Sequence, residues 1–377
     1  MSKIIYLCHY SRSQDKRMSS PAGVTMMDYV IGSINNAGYE LTVFSPSQTI
    51  SGEKQPKEHI KYNEKTELIY ARSLRQFAQI NIPMRFIQLK RREAQLYKEL
   101  LNLIDDDDTL VVYHSLALMS VISRLRKQRR FKLVLQVCEI YADVLEKSNL
   151  RKKETEFISK ADAYIFSSVL LESELNIHKR DYVICLGTYG IEQDRALSFD
   201  DEKIHVVYAG TLDPRKGGAI SALGAAEFLD ERYHMHILGF GSDSEISQLT
   251  EKIEEISKRT SCKITYDGCL LGEEYTRFLQ KCHIGLSTQM PDAKFNATSF
   301  PSKILVYMSN GLRVVSVKIP AVETSSVASA MHFYERPEPQ QIANAILSVD
   351  ISKSDEERKI ISNLDKGFVD DIRELLK

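Results

Sequence analysis

Short apolar runs alternate with segments of helical period along almost the whole chain. Residues 3–8, 39–44, 110–113, 131–137, 163–167 and 182–186 are rich in Ile, Leu, Val, Tyr and Phe. They are too short for helices, so each predicts a strand. Further strands are predicted at 206–209, 234–238, 263–266, 284–287 and 313–317. Between the strands, apolar residues recur at spacings of three and four. Val24, Met27, Val30, Ile31 and Ile34 form one such face, following a Ser- and Arg-rich loop that ends at Pro21-Ala22-Gly23. Gly38 closes that helix, and residues 83–104 predict a long helix with many basic positions. This alternation predicts parallel α/β sheets. Residues 45–65 are polar and irregular and predict a mobile surface loop.

The pattern stops and restarts at Gly187-Thr188-Tyr189-Gly190. Two glycines tolerate unusual backbone angles, so the segment is read as a hinge. It divides a first domain, 1–187, from a second, 188–350, with 351–377 as a helical tail packing across both. A length of 377 residues agrees with two domains.

Composition narrows the picture only a little. The chain is 43% hydrophobic and 27% charged, with a net charge of -1. No strong field selects nucleic acid or another polyanion. The halves differ: residues 1–187 hold 28 Lys and Arg against 22 Asp and Glu, and the remainder holds 22 against 29. Basic positions cluster at Arg85, Lys90, Arg91 and Arg92, and at Arg124, Arg126, Lys127, Arg129, Arg130 and Lys132. They are read either as a face for anionic lipid headgroups or as solvated helix faces. The six cysteines are scattered, with no C-x-x-C pair, and predict reduced thiols in a cytoplasmic protein. No signal peptide and no spanning helix are expected. Asp105 to Asp108 are read as an acidic turn, not a metal site.

Candidate chemistry lies where strands end in turns that open helices. After the strand at 206–209 comes Gly210-Thr211-Leu212-Asp213-Pro214-Arg215-Lys216-Gly217. A helix N-terminus beside two cations suits a phosphate; the alternative is a tight turn with solvated cations. Ser299-Phe300-Pro301-Ser302-Lys303 marks another helix start, either a second phosphate contact or an ordinary capped helix. Both lie at C-terminal strand ends, where open α/β sheets bind ligands. His114 and Glu139 occupy corresponding positions in the first half, as crevice groups or as a satisfied histidine and a surface acid.

These residues resemble a family. Gly210-Thr211-Leu212-x-x-x-Lys216-Gly217 is similar to the G-R-L-x-x-x-K-G loop of retaining glycosyltransferases of the GT-B fold, family four. Phe300-Pro301-Ser302-Lys303-x-x-Val306-Tyr307-Met308-x-x-Gly311 is similar to the F-P-S-K-x-x-E-Y-M-x-x-G segment of the bacterial surface-polysaccharide members. The resemblance implies two Rossmann-like parallel-sheet domains facing a cleft. It implies retaining transfer of a hexose or related sugar from a nucleotide diphosphate sugar, UDP-linked in preference, to a glycan or polyprenyl-linked glycan. No metal or other cofactor is implied, and the inner face of the membrane is the expected place of work. By resemblance Lys216 and His114 are catalytic. Gly210, Thr211, Arg215, Leu271, Thr298, Ser299, Phe300, Ser302 and Lys303 hold the donor, and Gly23 and Glu139 lie on the acceptor side. The family's paired acidic positions fall on Thr298 and Val306, and its loop arginine on Thr211. The missing carboxylates open a rival reading, an inactive relative that binds a partner enzyme or a glycan. A third reading is a sugar-nucleotide epimerase.

Overall fold

The computed structural model describes residues 2–75, 82–213, 217–291, 298–352 and 356–377. The chain forms two compact units, Met1–Leu186 with Lys366–Lys377, and Gly187–Asp365.

The first unit carries strands β1 (Ile4–Leu7), β2 (Leu41–Ser45), β3 (Glu58–Lys61), β4 (Thr66–Tyr70), β5 (Thr109–Tyr113), β6 (Lys132–Val137), β7 (Ala163–Phe166) and β8 (Asp181–Ile184). Its helices are α1 (Pro21–Asn36), α2 (Ile82–Leu101), α3 (Met119–Leu125), α4 (Tyr141–Val144), α5 (Ser148–Ile158) and α6 (Val169–Leu175). The sheet order is β3-β4-β2-β1-β5-β6-β7-β8, parallel except for the β3–β4 pair. The central strands β1, β2, β5, β6 and β7, four to six residues long and largely buried, read as continuous apolar runs because helices cover both sides. On one face Ile5, Leu110, Val112, Leu133 and Leu135 pack with Val121, Ile122 and Leu125 of α3 and with Ile158 of α5.

The second unit carries β9 (Ile204–Thr211), β10 (Tyr233–Phe240), β11 (Lys263–Gly268), β12 (Ile284–Ser287), β13 (Arg313–Val317) and β14 (Met331–Tyr334). Its helices are α7 (Gly218–Ala225), α8 (Asp243–Ser257), α9 (Gly272–Leu279), α10 (Lys303–Ser309), α11 (Pro320–Glu323) and α12 (Pro339–Leu347). The order is β11-β10-β9-β12-β13-β14, all parallel. A last helix, α13 (Glu356–Leu375), starts among second-unit residues and ends among first-unit ones.

The structure corrects four expectations. Residues 45–65 are not one irregular loop: they contain β3, which forms an antiparallel hairpin with β4. Arg17 ties this region down from inside. Its guanidinium donates to Ser47 O at 3.0 Å, Ser73 Oγ at 3.2 Å and Gln55 Oε1 at 3.1 Å, and lies 4.0 Å over the Tyr70 ring. Second, α1 begins at Pro21, not after Gly23. Proline fits the first helical position, and Ser20 Oγ accepts from Gly23 N as the cap. Third, neither Gly187 nor Gly190 takes a positive φ. Gly187 is small for a packing reason, since a Cβ there would stand 2.8 Å from Leu305 Cδ1. Fourth, β4 and β14 are strands that the pattern did not predict. The acidic turn is more ordered than its composition suggests. Asp108 is buried and accepts from the backbone N–H of Lys3 at 2.8 Å and of Asp105 at 2.9 Å.

Candidate functional site

In the second sheet the chain winds one way through β9, β10 and β11, then the other way through β12, β13 and β14. The reversal falls between β9 and β12. Such a reversal, at the carboxyl ends of the strands, is where open α/β sheets bind ligands. Gly217, the N-cap of α7, has φ 68, a left-handed conformation that L side chains rarely adopt. A Cβ on Gly218 would stand 2.5 Å from both Thr288 O and Tyr208 Oη, so backbone must pass where a side chain cannot. Thr288 Oγ1 donates to Gly218 O at 2.7 Å and fixes the turn to the end of β12. Among the described residues no side chain caps α7. Its first N–H groups are the kind that accept an anion.

Lys303 opens α10 and reaches the same place. Its Nζ lies 4.3 Å from the Tyr208 ring centroid and 3.0 Å from where a Cβ on Gly210 would sit. The cation thus crosses the end of β9, held over an aromatic face. Tyr208 Oη donates to Thr211 O at 3.2 Å, and burial pushes its pKa up to about 12, so the ring stays neutral. Tyr307 fixes α10 to the sheet: its Oη accepts from Ala209 N at 2.9 Å and donates to Leu286 O at 3.4 Å. Glycine at 285 makes room, since a Cβ there would stand 2.4 Å from the Tyr307 ring.

Of the sequence-derived donor residues, the fold brings Gly210, Thr211 and Lys303 to one strand end. Ser302 stands at the N-cap of α10 with helical angles, and its side chain accepts no capping bond. Phe300 is buried, and Thr298 and Ser299 are half-buried. Leu271 is 75% exposed at the N-cap of α9, after the edge strand β11 and two strands from β9. Arg215 and Lys216 lie outside the described residues. Tyr208 and Thr288 were not singled out from sequence. A Tyr in mid-strand and a Thr after a strand carry no signal of their own.

The first sheet reverses between β1 and β5. His114 follows β5, as expected, yet its side chain points inward and is 1% exposed. His114 Nε2 lies 2.8 Å from Glu154 Oε1. Glu154 is fully buried and also accepts from Tyr141 N at 2.9 Å and Ala142 N at 2.8 Å. The carboxylate therefore holds the histidine and the N-terminus of α4 together. Phe157 stacks on the His114 ring at 5.9 Å. Glu139 is half-buried after β6, its pKa raised by burial and further by the charge of Glu154. Gly23 is buried in the first turn of α1. His9, after β1, escaped the sequence reading; burial lowers its pKa and keeps it neutral.

No protein-family model matches the sequence, and no curated protein matches it. Solved structures do. The chain is similar to the α,α-trehalose 6-phosphate synthase of Burkholderia multivorans, with 14% identity and a TM-score of 0.65 over 99% of this chain and 95% of that one. It is similar to the UDP-forming synthase of Burkholderia xenovorans, with 12% identity and a TM-score of 0.65 over the full length of both. The Escherichia coli enzyme solved with UDP-2-fluoro glucose gives 13% identity and a TM-score of 0.64 over 99% and 97% of the chains. From end to end, then, this chain has the GT-B fold of those synthases, with one Rossmann-like parallel sheet in each unit.

Proposed function

We propose that the chain is a glycosyltransferase that moves a sugar from a nucleotide diphosphate sugar, UDP-linked in preference, to a glycan acceptor. The observation that carries the reading is the turn at the second sheet's reversal. The uncapped α7 N-terminus and Lys303 Nζ both stand at the carboxyl end of β9. A pyrophosphate is matched by several N–H donors and a nearby cation, and stabilising it as a leaving group needs no covalent chemistry from the protein. The similar structures, which include a UDP-forming synthase and a complex with a UDP-sugar analogue, support the choice of donor.

In this reading the second unit holds the donor and the first the acceptor. Lys216 and Arg215, next to Gly217 in sequence, add charge to the turn. Ser302, Thr298, Ser299, Phe300 and Leu271 contact the nucleotide sugar. With no carboxylate at 298 or 306, backbone groups around Thr298 to Phe300 receive the ribose. Gly23 and Glu139 face the acceptor, and His114, buried on Glu154, supports that wall from within. Transfer proceeds with retention, the sugar is a hexose or a close relative, and the product belongs to surface-polysaccharide assembly.

A polyprenyl-linked acceptor fits one further feature. Met84, Phe86, Ile87 and Leu89 of α2 are 49, 61, 56 and 54% exposed, interleaved with Arg85, Lys90 and Arg91. Apolar and basic side chains on one helix suit the surface of an anionic membrane. Among the described residues no helix is long and apolar enough to cross one. The other basic cluster is largely engaged: Arg124 lies 4.1 Å over Tyr97, Arg126 pairs with Asp162 at 3.0 Å, and Arg129 donates to Ile104 O at 3.2 Å.

The absent carboxylates favour a second reading, an inactive relative that binds a partner or a glycan. One experiment separates the two. Nucleotide sugars are screened for donor hydrolysis and transfer with the wild type and with Lys216→Ala. The enzyme reading expects turnover in the first and a loss of about tenfold or more in the second, the worth of one charged contact. No turnover of any nucleotide sugar would leave the silent relative standing.

A further inference from the structure

The opposite end of the second sheet holds a cluster that the donor turn does not use. His205 is the second residue of β9, and His234 and His236 lie on β10. Alternation puts 234 and 236 on one face of the sheet. The register sets His205 beside His234 and Thr265 beside His236, on that same face. Past Tyr266 the register of β11 slips. Asp267 falls at this slip, and its carboxylate turns to the same side as the histidines. All three imidazoles are buried, at 1, 5 and 1% exposure. Phe199 stacks over His205 and His236 with centroids 4.0 and 5.0 Å away.

The hydrogen bonds around the cluster fix its protons. Asp201 Oδ1 lies 2.8 Å from His205 Nε2, and Asp267 Oδ2 lies 3.0 Å from His236 Nδ1. An ionised carboxylate only accepts, so each ring carries its hydrogen on that outer nitrogen. The inner nitrogens, His205 Nδ1 and His236 Nε2, then face each other lone pair to lone pair at 2.9 Å. Such a contact is repulsive unless a cation is shared. Thr265 Oγ1 donates to Asp267 Oδ2 at 2.8 Å and so accepts from His234 Nε2 at 3.0 Å. That leaves a third lone pair, on His234 Nδ1, buried and without a partner among the described residues. One nitrogen from each ring lies within 4.8 Å of the other two. Each of the three rings thus keeps a lone pair turned away from its hydrogen-bond donor, the form in which imidazole ligates metals. His283 stands outside the set, because its Nδ1 accepts the His205 backbone N–H at 3.0 Å.

We propose that His205, His234 and His236 bind a divalent late first-row transition-metal ion, Zn2+ first, as a structural site at the amino end of the second sheet. Neutral imidazoles suit such an ion and not Mg2+ or Ca2+, which take oxygen ligands. Asp201 and Asp267 are the outer carboxylates that orient and polarise metal-bound histidines. A Zn–N bond of about 2.0–2.1 Å requires the 2.9 Å pair to open by a few tenths of an ångström. The ion ties β9 to β10, and through Asp267 to β11. The site is independent of the donor turn, so neither stands or falls with the other.

The test uses full-length protein freed of any affinity tag and of metal by chelation. Titration with Co2+ should give visible d–d absorption that saturates at about one ion per chain, and Zn2+ should displace it. Loading with Zn2+ should raise the melting temperature by several degrees. The double variant His234→Ala/His236→Gln should lose both the bands and the shift. The variant His59→Gln, at an exposed histidine of the first unit paired with Glu67, should keep both. The proposal is overturned if wild-type protein shows no d–d bands at about tenfold excess of Co2+ and no melting shift with Zn2+. Uptake that persists unchanged in a folded double variant overturns it too. Should that variant fail to fold, the wild-type titration alone decides.

Discussion

At the level of single residues, the donor turn depends on what is missing as much as on what is present. Gly218 lies against Thr288 O and Tyr208 Oη, each 2.5 Å from a hypothetical Cβ. One of these is backbone and cannot swing away. Gly218→Ala should therefore cost about 1–3 kcal/mol, the usual range for overpacking, and should displace the start of α7. Urea unfolding measures the first effect and nucleotide affinity the second. A variant as stable and as tight-binding as wild type would mean that the turn is not packed as described. Part of this was legible in the sequence: glycines after a strand, then Lys303 at a helix start. What escaped was the pairing of Lys303 with Tyr208, because the ring sits 95 residues away in the chain and its strand looks like any other. The histidines escaped for the same reason. His205, His234 and His236 each read as a lone strand histidine until register brings two strands together.

Elements were legible in proportion to how apolar they are. The fully buried strands stood out as hydrophobic runs. The hairpin strand β3 did not, since none of its residues is buried and it has no apolar face to alternate. Helix α2 was predicted from its period, but period alone does not say that its first turns leave Phe86, Ile87 and Leu89 exposed. That exposure yields a prediction. Wild-type protein should co-sediment with vesicles rich in anionic lipid, and binding should weaken as salt rises. The double variant Phe86→Ser/Ile87→Ser should bind several-fold less while keeping donor turnover in solution. Equal binding by variant and wild type would remove α2 as the contact.

For the whole molecule, α13 is the element with most at stake. Its early residues serve the second unit: Glu357 pairs with Arg313, and Arg358 donates to Asn310 O at 2.8 Å. Its last residues serve the first: Phe368 stacks on Tyr29 at 5.6 Å, Tyr39 Oη donates to Arg373 O at 2.9 Å, and Lys132 Nζ donates to Leu375 O at 2.6 Å. Phe368, Ile372, Leu375 and Leu376 are all buried. At about 1.5–3 kcal/mol for each buried side chain, losing them removes much of a typical domain stability of about 5–15 kcal/mol. A chain ending at Asp365 should lose the cooperative calorimetric transition of the first unit and keep that of the second. Two unchanged transitions would show that the helix end is dispensable. The central claim, that the reversal point of the second sheet holds a nucleotide diphosphate, is tested most directly by calorimetric titration of UDP into wild type and Lys303→Ala. The account predicts saturable binding by wild type and a loss of about tenfold in the variant, the worth of one charge-assisted contact. Equal affinity in the two proteins, or no heat with either UDP or GDP, would contradict it.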